Sequence, residues 1–189
     1  MYSYGGEPLR TEAKKYISNG ASDKVVAGDG PNELYGNGGN DKLYGKGGDD
    51  ILIGGAGRDT LYGGKGADYF VFDRTPGGKN VDRVMDFSRK QGDKVVLAYK
   101  YYKAVNLKFK YDAFGDITED YRLDVPVGRL SAAEFRLGPT ALLETDRMIY
   151  NKAKGALYYD ADGIGALAPV KIADFKAGTT LSASDFLFY

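Results

Sequence analysis

The chain has 189 residues, of which 43% are hydrophobic, and this fraction is too high for a wholly disordered protein. It contains no cysteine and no histidine, which excludes disulfides, thiolate or histidine-ligated zinc, and histidine acid–base catalysis. Its 26 basic and 26 acidic residues give a net charge of zero, so no overall field favours nucleic acid, and no apolar run reaches the roughly 18 residues of a membrane span.

After an N-terminal flank of residues 1–17, which lacks the pattern of an N-terminal export signal, a unit of nine residues repeats six times in phase. The units begin at Ser18, Ala27, Gly36, Gly45, Gly54 and Gly63. The sixth position holds Asp23, Asn32, Asp41, Asp50, Asp59 and Asp68. The eighth position is always apolar and holds Val25, Leu34, Leu43, Leu52, Leu61 and Phe70.

Each unit ends in one apolar residue between two neighbours that point the other way, which predicts a short strand with one buried face. The glycine-rich start of the unit must turn, so two units make one coil of 18 residues with strands in two parallel sheets. One sheet would contribute the row Val25, Leu43 and Leu61 to the core, and the other the row Leu34, Leu52 and Phe70. We therefore predict an all-β protein with a parallel β-roll over residues 18–72.

Stacked coils bring sixth-position side chains close together in the pairs Asp23–Asp41, Asn32–Asp50, Asp41–Asp59 and Asp50–Asp68. Stacked carboxylates repel unless a cation lies between them. Glycine lets backbone carbonyls turn toward the same point, and Ca²⁺ prefers such an all-oxygen shell of about 6–8 ligands, whereas Mg²⁺ demands a tighter octahedron. A flexible linker would not keep an apolar residue at every ninth place, and a phosphate-binding loop would not repeat.

The unit Gly54–Tyr62 resembles the RTX, or haemolysin-type, calcium-binding repeat G-G-x-G-x-D-x-(apolar)-x at every fixed place. This resemblance implies a parallel β-roll with Ca²⁺ between successive loops. It implies side-chain ligands from Asp41, Asp50, Asp59 and Asp68, and carbonyl ligands from Gly36, Gly38, Gly45, Gly47 and Gly54. In the first two units Ser18 and Ala27 replace the first glycine and Asn32 replaces the aspartate, so a site that uses Asn32 is expected to be weak or vacant.

Residues 73–189 are expected to form a β-rich cap. The stretch 81–97 resembles the closing segment of serralysin-type C-terminal regions, and Val81, Val84 and Phe87 are spaced to cover the open end of the roll. Alternating apolar residues predict a hairpin over 105–122 and a second hairpin from Met148–Tyr150 and Ala156–Tyr159. The sequence further predicts a serine-capped helical turn at 130–135 and a final strand that buries Phe186 and Phe188.

The stretch Asp160–Gly163 resembles the start of an EF-hand loop, but its glycine stands at the fourth place rather than the sixth, and the twelfth place has no glutamate. A weak calcium site and a plain Asp/Gly turn both remain open.

These patterns lead to two hypotheses of function. The first is a calcium-binding module that folds after export, because Asp185 followed by terminal hydrophobic residues is typical of type I secretion signals; it implies a secreted protein and an exporter as partner. The second is a binding module of an extracellular enzyme or adhesin, in which Tyr44 over Tyr62, with Lys42 nearby, would hold an acidic polysaccharide, as RTX modules of alginate epimerases suggest; the strand preference of tyrosine is the alternative. A self-standing enzyme is not expected, because no carboxylate pair is left beyond those assigned to metal.

Overall fold

The computed structural model describes residues 14–103 and 128–189, whose strands form two sheets. Sheet A contains, in spatial order, β1 (Lys14–Ile17), β3 (Asn32–Tyr35), β5 (Ile51–Ile53), β7 (Tyr69–Phe72), β9 (Lys94–Leu97), β15 (Phe186–Phe188) and β10 (Gly128–Arg129). Sheet B contains β11 (Phe135–Leu137), β12 (Met148–Asn151), β13 (Ala156–Tyr159), β14 (Val170–Phe175), β8 (Asp82–Val84), β6 (Thr60–Lys65), β4 (Lys42–Gly47) and β2 (Lys24–Val26). The described part of the chain has no helix that is long and apolar enough to cross a membrane.

The repeats form the predicted parallel β-roll, with successive strands alternating between the two sheets. In sheet A, Leu52 is paired with Leu34 on one side and with Phe70 on the other. In sheet B, Leu43 is paired in the same way with Val25 and Leu61. The register therefore advances by 18 residues per coil, which confirms the prediction that two units make one turn.

The eighth-position side chains form the core between the two sheets. Leu34, Leu43, Leu52, Leu61 and Phe70 are all fully buried, and they belong to one cluster that continues into the C-terminal region. Full burial of such a side chain stabilises a fold by roughly 1.5–3 kcal/mol. The thin roll thus obtains an apolar row from each sheet, although its turns contribute glycine and aspartate.

The segment after the repeats extends the sheets instead of lying across their end. Strand β8 pairs with β6 and β14, and β9 pairs with β7 and β15. Val84 is therefore a buried strand residue opposite Leu61, and the expectation that it covers an open end is wrong. Phe87 does pack over the core, 6.0 Å from Phe70 and 5.6 Å from Phe175 between ring centroids. Both sheets run without interruption past residue 72.

The C-terminal elements match the sequence predictions that fall on described residues. Strands β12 and β13 form the expected antiparallel hairpin, and Ser131 precedes a 3₁₀ turn over Ala132–Glu134. The final strand buries Phe186 and Phe188 completely and pairs in parallel with β9. The hairpin predicted over 105–122 lies outside the described residues.

Two side chains in the repeat loops occupy a backbone conformation that favours glycine. Lys46 has φ 77° and Asn37 has φ 64°, and both stand at the second position of their units, where the next two units have Gly55 and Gly64. A left-handed conformation costs most L-residues roughly 1–2 kcal/mol, whereas asparagine tolerates it. Lys46 is therefore a strained residue within an otherwise regular loop.

We expect Lys46→Gly to stabilise the calcium-loaded protein by about 0.5–1 kcal/mol, because relief of the strain exceeds the entropy cost of the new glycine. Thermal unfolding at saturating Ca²⁺ measures this gain. Asn37→Gly is the matched control; it should gain less, since Asn37 Nδ2 also donates to the Ser18 carbonyl at 2.7 Å. A loss of stability in Lys46→Gly would contradict the assignment of strain.

Candidate metal centre

The sixth-position side chains form two ladders along the roll, one at each turn between the sheets. In the first ladder, the backbone N–H of Asp23 donates to Asp41 Oδ1 at 2.7 Å, and that of Asp41 donates to Asp59 Oδ1 at 2.7 Å. In the second ladder, Asn32 N–H donates to Asp50 Oδ1 at 2.8 Å, and Asp50 N–H donates to Asp68 Oδ1 at 2.9 Å. One carboxylate oxygen of each aspartate thus fixes the position of the preceding coil.

The other carboxylate oxygen of these aspartates has no such role. Within residues 14–103 and 128–189, the Oδ2 atoms of Asp41, Asp59 and Asp68 are buried and have no hydrogen-bond partner. The whole side chains are at most 1% exposed. A buried carboxylate oxygen without a partner is costly unless a cation or a proton satisfies it.

Each of these oxygens lies against the first glycine of its own unit. A Cβ atom built on Gly36 would lie 2.5 Å from Asp41 Oδ2, and the same clash arises at Gly45 with Asp50, at Gly54 with Asp59 and at Gly63 with Asp68. The carbonyl oxygen of the glycine one coil later reaches the same place, since Gly63 O would lie 2.6 Å from a Cβ on Gly45. Carboxylate and carbonyl oxygens therefore converge where any side chain would block them.

The donor set fits calcium. No described lysine or arginine forms an ion pair with Asp41, Asp59 or Asp68, so the charge of the ladders lacks a counterion from the protein. No three acidic side chains meet in the described segments, so backbone carbonyls would have to complete any shell. One carboxylate per loop with several carbonyls is a hard, all-oxygen set of the kind that Ca²⁺ takes. The geometry supports ligands from Asp41, Asp50, Asp59, Asp68, Gly36, Gly45 and Gly54.

Three predicted ligands have other neighbours. Gly38 and Gly47 lie in the stacked loops, where Gly38 forms a bridge with Ala56 and Gly47 one with Asp29. Asn32 Nδ2 donates to the carbonyls of Gly28, at 2.9 Å, and Gly30, at 2.5 Å. The amide nitrogen thus hydrogen-bonds to carbonyl oxygens of its own loop, as a cation would contact them. As ligands, Asn32, Gly38 and Gly47 remain predictions.

Sequence reasoning missed three aspartates that continue the ladders beyond the repeats. Asp59 N–H donates to Asp82 Oδ1 at 2.9 Å, and Asp68 N–H donates to Asp93 Oδ1 at 3.1 Å. Asp86 accepts the N–H groups of Gly63 and Gly64, both at 3.0 Å. The period of 18 hides the first two, since insertions lengthen the spacing to 23 and 25 residues.

Burial is the main electrostatic feature of the ladders. It raises the pKa of Asp59 to about 6, that of Asp68 to about 7 and that of Asp82 to about 8, and neighbouring aspartates of the ladders add to each increase. Burial also raises the pKa of Asp41, Asp86 and Asp93. The calcium-free roll therefore holds its aspartates in an environment that opposes their ionisation.

Residues 17–52 and 44–74 match the family model of the RTX calcium-binding nonapeptide repeat. Among solved structures, the chain is similar to the AlgE6R3 subunit of the mannuronan C5-epimerase from Azotobacter vinelandii, with 26% identity and a TM-score of 0.52. That alignment covers 96% of this chain and 85% of the other. No curated protein matches the chain.

The raised pKa values predict opposite effects of pH with and without calcium. An aspartate in the unfolded chain titrates near pH 4 (about 3.9), so the folded, calcium-free protein binds more protons than the unfolded chain between about pH 4 and pH 8. Its free energy of unfolding should therefore fall as the pH rises through this window.

With saturating Ca²⁺ the free energy of unfolding should instead rise with pH, because the metal competes with the protons for the same oxygens. Urea unfolding at pH 5 and pH 8, with chelator and with Ca²⁺, measures both slopes. Slopes of the same sign would contradict the assignment of the ladders as the calcium site.

Proposed function

Because residues 17–74 carry RTX calcium-binding repeats in a β-roll, we propose that this chain is a calcium-triggered folding module of an exported protein. The supporting observation is the set of buried Oδ2 atoms of Asp41, Asp59 and Asp68, which lack a hydrogen-bond partner among the described residues. These oxygens would be satisfied by Ca²⁺ and by little else in the roll.

The energetics of the ladders support a switch. Without calcium, each coil that folds must bury ionised aspartates beside those of the previous coil, which opposes folding at neutral pH. With calcium, the ion binds only the folded arrangement, so that binding free energy becomes folding free energy. The module would stay unfolded at the low calcium concentration of a cytosol and fold at the higher concentration outside the cell.

The burial of the last strand supports the same order of events. Phe186 and Phe188 are fully buried in β15, and Asp185 is held by an ion pair with Arg89 at 2.8 Å. A type I exporter that recognises this segment would have to bind it before the roll forms. Export of the unfolded chain followed by calcium-dependent folding meets this requirement. The domain boundaries and the absence of catalysis in this chain stay predictions.

We expect strand signal in the far-ultraviolet circular dichroism to appear as the full chain is titrated from chelator into millimolar Ca²⁺. Asp59→Asn combined with Asp68→Asn should raise the calcium concentration at half-folding at least about ten-fold, since one charged ligand is lost at each of two sites.

Asp174→Asn is the matched control, because this aspartate pairs with Lys171 at the surface, away from the ladders. It should leave the titration unchanged. A wild-type spectrum that is the same in chelator and in calcium would overturn the proposed function.

A second candidate function is the binding of an acidic polysaccharide by the outer face of sheet B. The rings of Tyr44 and Tyr62 stack there with centroids 4.6 Å apart and planes within 8°, and Lys24 Nζ lies 5.5 Å above the Tyr44 ring. Lys42 lies on the same sheet, paired with Lys24. An aromatic strip beside cations suits a polyuronate chain, and the similar AlgE6R3 subunit comes from an enzyme named for mannuronan.

If this face binds a polyuronate, calorimetry with mannuronan oligomers in Ca²⁺ should show binding that falls at least about ten-fold in Tyr44→Ala/Tyr62→Ala. The expected loss reflects two stacking contacts of roughly 1 kcal/mol each. Tyr158→Ala, on strand β13 of the same sheet but outside the repeats, is the control and should bind normally. Equal affinity in the double variant would exclude this face.

A further inference from the structure

We propose that Asp160 and Asp162 form a separate cation site outside the repeats, which takes a hard divalent cation such as Ca²⁺. The two residues lie in the loop that joins β13 (Ala156–Tyr159) to β14 (Val170–Phe175). This loop is remote in sequence from residues 17–74, which carry the matched repeats. The proposal is independent of the calcium-triggered export of the roll.

The loop holds Asp160 in a fixed position. The backbone N–H of Asp160 donates to the Arg147 carbonyl at 2.8 Å, which continues the pairing of β12 with β13. One of its carboxylate oxygens, Oδ1, accepts the N–H groups of Asp162 at 3.2 Å and Gly163 at 2.9 Å. These bonds curl the loop around the carboxylate and leave the side chain 1% exposed.

The remaining oxygens point to a missing ligand. Asp160 Oδ2 and Asp162 Oδ1 are both buried, and neither has a hydrogen-bond partner in the described part of the chain. The other oxygen of Asp162 accepts the N–H of Leu167 at 3.1 Å, so this carboxylate is also oriented by the loop. Two fixed carboxylates therefore present one bare oxygen each without a partner of opposite charge.

The nearest arginine along the hairpin does not supply that charge. Arg147 is itself largely buried, and its Nη1 donates to the carbonyls of Glu144, at 2.5 Å, and Asp146, at 3.0 Å. No ion pair joins Asp160 or Asp162 to a described lysine or arginine. A buried pair of carboxylates in this state requires a cation or a shared proton.

Backbone carbonyls complete the set of donors beside the loop. A Cβ on Gly163 would lie 2.5 Å from the carbonyl oxygen of Leu143 and 2.6 Å from that of Glu144, so the turn at 143–144 packs directly on the loop. Gly165 lies equally close to the Asp162 carboxylate, which any side chain at 165 would displace. Carboxylate and carbonyl oxygens of two neighbouring turns form the hard donor set that Ca²⁺ prefers.

A cation at this place would join the turn at 143–147 to the loop that follows β13. The loop otherwise exposes Ile164 and Leu167, which are 56% and 60% accessible. Calcium should therefore order this part of the C-terminal region in addition to its effect on the roll. The order of the loop gives a measurement that the repeats do not affect.

The test uses the full chain and Ca²⁺ alone. Hydrogen exchange of the amides over residues 160–167 should slow at least about ten-fold in wild type when calcium is added, because the bound ion closes the loop. In Asp160→Asn/Asp162→Asn this slowing should be lost, while the amides of residues 36–68 remain protected by calcium. Calorimetry should show one calcium ion fewer in this variant than in wild type and in the Asp174→Asn control.

Gly165→Ala is a second variant that keeps both carboxylates but places a methyl group against Asp162. It should weaken the effect of calcium on residues 160–167 and leave the roll unchanged. Exchange over 160–167 that is indifferent to calcium in the wild-type protein would overturn the proposal, whether or not the variants fold. An unchanged calcium stoichiometry in the folded Asp160→Asn/Asp162→Asn protein would overturn it as well.

Discussion

The roll depends on one interaction that recurs at every turn. An aspartate carboxylate accepts the backbone N–H of the residue one coil earlier through Oδ1, as Asp59 does from Asp41. Its Oδ2 remains buried against a glycine, as at Gly54. The first bond sets the spacing of the coils, and the second oxygen makes that spacing conditional on a cation. Mechanical register and metal dependence therefore reside in the same side chain.

The architecture of the repeats could be read from the sequence, because every physical requirement recurs with the same period. An apolar residue at each eighth position fixes the core face, and Leu34, Leu52 and Phe70 lie in one row as their spacing predicts. A glycine at each first position is needed because a side chain there would meet the carboxylate, as at Gly45. Local patterns also predicted the β12–β13 hairpin and the capped turn after Ser131.

Beyond the repeats, the determining contacts are not periodic. Asp82 and Asp93 continue the ladders only because the intervening insertions loop out, and no spacing rule announces that. The role of Val84 was misjudged for the same reason, since its pairing with Leu61 depends on a partner strand, β14, that comes about 90 residues later. The Asn32 amide shows a third limit: a single changed atom turns a place for metal into a hydrogen-bond donor to the Gly28 and Gly30 carbonyls.

The position of β15 has a consequence for synthesis of the protein. Sheet A is completed only when Phe186–Phe188 is inserted between β9 and β10, yet β9 ends at Leu97. A nascent chain whose last residues are still inside the ribosome tunnel cannot close that edge, whatever ions surround it. Translation itself thus delays completion of the sheet, and the chain leaves the ribosome with its final strand still available to other binding partners.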